Sequence, residues 1–135
     1  HQLVAQALGG VVAKSPKGWG VGVHCYTVDR EGFDLADGEQ FCLLASHQDQ
    51  VMAMPPGAQQ IASNEHCEVA GMTLGDHILT FQGHPEFIPE YSRAIMNFRH
   101  DMIGAERVAE GMASFEVRQH EGDRVARWML AFLSR

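Results

Sequence analysis

The hydrophobic periodicity of the chain changes at Pro89, and that change constrains the fold more than any other feature. Ahead of it, apolar residues come in short runs bounded by turn formers: Val11-Val12-Ala13 before Ser15-Pro16-Lys17-Gly18, the β-branched stretch from Trp19 to Val28, and Phe41 to Ala45. Runs of this length between Gly, Pro, Asp and Ser read as strands. A turn is expected at Asp29 to Gly32. Ile61-Ala62-Ser63-Asn64 adds a short strand after the rigid turn Met54-Pro55-Pro56-Gly57, and Glu68 to Thr73 pairs with His77 to Gln82 around Leu74-Gly75-Asp76. Behind Pro89, which suits a helix first turn, Tyr91, Ala94, Ile95 and Phe98 share one helix face and predict a helix to about Met102. A second helix follows Gly104, and Arg124 to Leu133 makes a third with Val125, Trp128, Met129 and Phe132 on one side. Met96, Met102, Met112 and Met129 read as core fillers, and Trp19 as core too. Helix, several strands, then helices is the order of the second half of a layered α/β domain.

Size and charge exclude several classes. The 135 residues, 45% of them hydrophobic, suffice for one core and one domain. No run of 18 apolar residues occurs and the first segment lacks the form of a signal peptide, so no membrane span or export is indicated and a cytoplasmic setting is expected. Seventeen acidic against ten basic residues give a formal charge of -7 with no Lys/Arg cluster, which argues against nucleic acid as a partner. Cys25, Cys42 and Cys67 form no C-x-x-C pair and are expected as reduced thiols in or near the core. None of the eight histidines sits in H-E-x-x-H, so no metal site and no cofactor are expected.

The chain starts at His1 rather than Met and leads straight into Leu3, Val4, Ala7 and Leu8, the spacing of a helix face packed on something, with Gly9-Gly10 as its end. An upstream segment is therefore expected. The run Phe41 to Ala45 empties into five polar residues, Ser46-His47-Gln48-Asp49-Gln50, and a polar loop beyond a buried strand is where open α/β folds hold ligands. Glu68 to Gln82 likewise ends at Gly83-His84-Pro85-Glu86.

On an extended segment His84 and Glu86 project to the same side, with Pro85 biasing His84 toward extended geometry. A carboxylate on one ring nitrogen fixes the tautomer and leaves the other nitrogen to take a proton from a nucleophile. By itself, H-x-E also fits a polar strand end.

Six stretches in order lift the pair out of that ambiguity: residues 1–10, Gly18-Trp19-Gly20-Val21, Ser46-His47-Gln48-Asp49-Gln50-Val51, Pro55-Pro56-Gly57-Ala58, Ile61-Ala62-Ser63-Asn64 and Phe81-Gln82-Gly83-His84-Pro85-Glu86-Phe87. With them the chain resembles the class I glutamine amidotransferases, and in particular the stand-alone members similar to the GMP synthetase glutaminase domain. The resemblance implies a flavodoxin-like three-layer α/β sandwich, represented by its C-terminal half. It implies a Cys-His-Glu triad in which His84 is the base and Glu86 its orienter. Gln2, Ser46, Gln48 and Asp49 would hold the glutamine substrate, with His47 supporting them. The family's nucleophile lies in a Gly-x-Cys-x-Gly-His-Gln elbow, of which only His1-Gln2 is present, so its Cys would lie three residues before His1.

Roughly 90 residues, three βα units, would then precede this chain. They would include the elbow and a second oxyanion donor, and the 135 residues alone are expected to be inactive. Cys25, Cys42 and Cys67 lie in strand-like apolar settings without an elbow and are not expected to substitute for the nucleophile. The implied reaction releases ammonia, which such domains pass to a synthase partner or a fused domain, a separate ammonia-accepting synthase being the open expectation here. A γ-glutamyl hydrolase using the same site and a non-catalytic binding protein of this fold are the alternatives. An expected half of a parallel sheet would leave an open edge, to be covered by the missing half or by self-association.

Overall fold

The computed structural model describes residues 1–29 and 38–134; the turn expected at Asp29 to Gly32 lies largely outside them. In chain order the elements are α1 (Gln2–Ala7), β1 (Val11–Lys14), β2 (Gly20–Val28), β3 (Gln40–His47), β4 (Asp49–Ala53), β5 (Ala58–Ser63), β6 (Gly71–Leu74), β7 (Ile78–Phe81), α2 (Pro89–Phe98), α3 (His100–Ile103), α4 (Ala105–Val117) and α5 (Gly122–Leu133). Strands precede helices across Pro89, as the change of period predicts. The layered α/β class holds.

The pairing differs from expectation. A five-stranded sheet runs β3-β2-β5-β6-β7 and a separate ribbon pairs β1 with β4, and every one of these pairs is antiparallel. The reason lies in the connections. Parallel neighbours need a crossover of a dozen or more residues, usually a helix, and no described helix stands between β1 and β7. The hairpin at Leu74-Gly75-Asp76 forms as predicted, with Leu74 opposite Ile78 and Gly75 at φ 60°, a left-handed conformation glycine adopts without a Cβ clash.

Ser46 to Gln50 is not a loop. Ser46 and His47 finish β3, and Asp49 already belongs to β4, so the polar stretch is a sharp corner carrying the chain from one sheet to the other.

Three apolar clusters hold the elements together. Tyr26, Phe41, Leu43 and Ala62 of the large sheet pack against Val125 and Trp128 of α5. Val21 meets Met96, Ile103 and Val108 from α2, α3 and α4. Ala5, Val51, Val69 and Met72 join α1 to the ribbon and to β6. Each large side chain buried in this way contributes about 1.5–3 kcal/mol. Val125, Trp128 and Phe132 are the buried face of α5, as the spacing predicts.

Two helix faces differ from the predicted ones. In α1 the buried residue is Ala5, while Leu3 is 80% exposed, because the six-residue helix meets the ribbon along a narrow line. In α2 the buried positions are Ser92 and Met96, and Phe98 is 89% exposed. A Cβ on Gly111 of α4 would lie 2.7 Å from the Met96 sulfur. That close crossing suits a hydroxymethyl and a flexible thioether, not an aromatic ring. The predicted helix to Met102 breaks at Arg99, and Met102 is exposed rather than core.

The edge of β2 away from β3 is shared. Its end pairs with β5 through Thr27 and Val28, while α4 closes its beginning. Ser114 Oγ accepts the Val23 N–H at 2.8 Å and Arg118 donates to the Val23 carbonyl at 3.0 Å. Gly22 has φ 80°, and a Cβ there would sit 2.4 Å from the Gly111 carbonyl oxygen, so only glycine lets the helix approach.

The reading of three reduced thiols is also corrected. Cys67 is a buried thiol, but Cys25 and Cys42 form a disulfide. They are directly opposite in the β2–β3 register. Cys42 bonds outward to Glu121 through its N–H and carbonyl, which marks a non-hydrogen-bonded pair, where antiparallel strands come closest.

Candidate active site

The segment after β7 is shaped by one close contact. Gly83 lies against Leu43, where a Cβ would approach the Leu43 Cβ to 2.7 Å. Without a side chain in the way, His84 forms an antiparallel bridge with Leu44 and its N–H donates to the Leu44 carbonyl at 2.8 Å. The rest of that β3 edge is closed by the start of α5. Glu121 accepts the Cys42 N–H at 2.9 Å and His120 Nδ1 accepts that of Leu44 at 3.3 Å. Gly122 presses so near the same segment that a Cβ would fall 2.2 Å from the Pro85 carbonyl oxygen.

His84 Nδ1 and Glu86 Oε1 are 2.8 Å apart. An ionised carboxylate can only accept, so Nδ1 carries the proton of the neutral ring and Nε2 presents a lone pair. Nε2 bonds to nothing among the described residues. The imidazole also stacks on Phe87, with centroids 4.0 Å apart and planes 7° from parallel, and Phe87 meets Tyr91 edge-on at 4.7 Å. Glu86 is 63% exposed, so the pair adds under about 1 kcal/mol to stability. Its consequence is a fixed tautomer and ring plane.

A second group gathers at the β3–β4 corner. Gln2, Ser46, Gln48 and Asp49 line one recess of about 380 Å³, together with Trp19 and Arg99. Gln2 Nε2 donates to the Asp49 carbonyl at 2.9 Å. All four sequence-derived substrate residues are thus brought together, but His84 and Glu86 are not among this recess's walls. The two groups are joined along β3. His84 is bridged to Leu44, and Ser46 follows two residues on, roughly 6.6 Å along a strand, comparable with the reach of an extended glutamine side chain.

His47 is a buried residue in the wall of the same recess. Burial first, then the imidazoles of His24 and His66, push its pKa down to about 3, so the ring is neutral at pH 7. None of the three cysteines resembles a nucleophile: Cys25 and Cys42 are bonded to each other, and burial pushes the Cys67 thiol up to about 12. No group of three or more His, Cys, Asp or Glu among the described residues is placed to hold a metal ion. No described helix is long and apolar enough to cross a membrane.

Sequence reasoning did not single out Arg99, His120 or Gly122. Phe87 at three residues past His84 carried a signal in its spacing; Arg99 carried none, because its place depends on where α2 stops.

A histidine whose Nδ1 is held by a carboxylate and whose Nε2 is available has the chemistry of the base in nucleophilic acyl transfer. Residues 1–102 match the family glutamine amidotransferase class-I, and the chain belongs to that family. YLR126C of Saccharomyces cerevisiae is 40% identical over 87 residues, covering 64% of this chain and 35% of its own length. Gamma-glutamyl peptidase 2 of Arabidopsis thaliana is 28% identical over 127 residues, 91% of this chain and 51% of its own. The crystal structure of a glutamine amidotransferase from Methylobacillus flagellatus superposes with a TM-score of 0.63 and 28% identity over 72% of this chain and 39% of that one. The chain therefore spans about a third to a half of the length of the curated relatives it matches.

Proposed function

We propose that the protein to which this chain belongs hydrolyses the side-chain amide of glutamine to glutamate and ammonia through a Cys-His-Glu triad. The observation that carries the reading is the 2.8 Å contact from His84 Nδ1 to Glu86, on a segment bridged to the strand that leads to the amino-acid recess. The nucleophile is assigned to a cysteine three residues before His1. His84 Nε2 takes its proton; the thiolate adds to the amide carbonyl; the tetrahedral oxyanion collapses as His84 returns the proton to the departing ammonia. Water then attacks the γ-glutamyl thioester with His84 again as base. Gln2, Ser46, Gln48 and Asp49 hold the amino-acid end of the substrate. No cofactor enters the scheme. The 135 residues by themselves carry the base and its orienter and are expected to be inactive. The ammonia passes to a synthase, in a cytoplasmic setting.

The relatives named gamma-glutamyl peptidases favour a second reading, hydrolysis of γ-glutamyl peptides at the same site. Both use the same thioester, so the leaving group discriminates them. In the natural protein, ammonia release from glutamine falls about 10²- to 10⁴-fold in His84→Ala. A kcat/KM for a γ-glutamyl dipeptide well above that for glutamine selects the second reading, and full activity in His84→Ala removes both.

A further inference from the structure

We infer that Arg99 anchors the α-carboxylate of the substrate and so makes a free α-carboxylate a requirement for turnover, an inference that rests on the glutamine-hydrolysing reading. Arg99 stands at the break between α2 and α3, where the backbone turns out of the helix at φ -99° and ψ 15°. The break aims its side chain into the recess with Gln2, Ser46, Gln48 and Asp49.

The guanidinium is half-buried, yet it makes no ion pair among the described residues; its one side-chain hydrogen bond there runs from Nη1 to Ser46 Oγ at 3.5 Å. The other half-buried guanidinium side chains of the helical half behave differently, while Arg118 and Arg127, which have no carboxylate beside them among the described residues, are exposed. Arg93 lies beside Glu116, Arg107 beside Glu110, and Arg124 beside both Glu39 and Glu121. A partly desolvated cation without an anion is costly unless a ligand supplies one.

An amino-acid substrate brings one positive and one negative group. Asp49 offers the recess an acceptor for the α-ammonium, and a cation is needed for the carboxylate. Lys14 also lines the recess, but it is exposed on the ribbon and is a flexible point charge. Arg99 has a planar fork that binds a carboxylate through two parallel bonds. Geometry gives the choice a direction. With the carboxylate between Arg99 and Ser46, the side chain extends back along β3 toward Leu44, where His84 is bridged. Arg99 then sets which γ-glutamyl compounds are read: glutamine and γ-glutamyl amides with an open α-carboxylate, not those blocked there.

The test compares kcat/KM for L-glutamine and L-glutamine α-amide in the natural protein, in Arg99→Gln and in Arg99→Lys. Arg99→Gln keeps a donor for Ser46 and removes the charge. The wild type is expected to prefer glutamine by at least about 100-fold. Arg99→Gln should bring the ratio within about tenfold, through a raised KM for glutamine with kcat retained, and Arg99→Lys should fall between the two. An unchanged ratio in either folded variant, or an equal loss on both substrates, overturns the inference and leaves the glutamine reading standing. A wild type that releases ammonia from neither substrate instead defeats the glutamine reading and this inference with it. Should Arg99→Gln fail to fold, Arg99→Lys decides alone, since it retains charge and loses the fork.

Discussion

Replacing Ser114 by alanine tests the way α4 closes the open edge of β2. The Ser114 hydroxyl accepts the Val23 N–H at 2.8 Å and donates to the Gly111 carbonyl at 2.6 Å. The Gly111 carbonyl is also within the α4 helix and keeps a helical partner in the variant. Val23 has no such reserve. It is 1% exposed, it lies opposite Leu44 on β3, and its N–H points away from that strand. Alanine would leave a buried donor unmade, which costs about 1–3 kcal/mol, and the rest of the side chain is nearly isosteric. About 2 kcal/mol of destabilisation is expected, or roughly a 1 M fall in the urea midpoint at unchanged slope. Hydrogen exchange at the Val23 amide should accelerate more than the global loss requires. Ser134→Ala is the control, because that hydroxyl likewise donates to a carbonyl just before it in the chain, that of Leu130, but in solvent, and it should change stability by less than about 0.5 kcal/mol. Equal effects from the two variants would refute the edge-closing argument.

Gly83→Ala places a Cβ 2.7 Å from that of Leu43, so it should cost about 2 kcal/mol by overpacking and lower kcat by shifting His84 from Leu44, as urea melts and steady-state kinetics would show. Reducing the Cys25–Cys42 bond, which closes a loop with a sequence separation of 17, should remove about 3 kcal/mol on the chain-entropy estimate; melts with and without reductant, alongside thiol counting, measure it. Acid should destabilise the fold through His24 and His47, whose pKa values burial lowers to about 4 and about 3. Because the unfolded chain takes up these protons first, the stability they leave intact above pH 6.5 is lost as pH falls from there toward 4 and 3. For His47 the loss by pH 5 is about 2 kcal/mol, to be read from urea midpoints at pH 7 and pH 5 and from its ring titration by NMR.

How much of this was legible in the sequence depends on how local the cause is. The strand-to-helix change at Pro89, the Leu74–Asp76 hairpin and the Val125, Trp128 and Phe132 face follow from nearest neighbours and periodicity, and they hold. The burial of α2 on Ser92 and Met96 does not, because it is set by Gly111 on another helix, and an apolar count cannot see how close two helices come. The cysteine pairing was missed for the same reason. Cys25 and Cys42 become neighbours only through the β2–β3 register, and spacing alone says nothing of register. At the site, that His84 and Glu86 meet was readable because two residues on an extended segment face one way, while their assignment as base and orienter came from the six-stretch resemblance. Gln2, Ser46, Gln48 and Asp49 were readable through resemblance and are gathered at one recess. Arg99 was not, since its position depends on a helix break with no glycine or proline to announce it.

In the proposed reaction His84 and Glu86 serve a cysteine lying three residues ahead of His1. Turnover of glutamine by the natural protein, quenched in acid and followed by peptide mass spectrometry, tests it most directly. A γ-glutamyl adduct on that cysteine is expected, abolished in His84→Ala and diminished in Glu86→Gln. Ammonia release with no such adduct, or an adduct that forms equally well in His84→Ala, would contradict it.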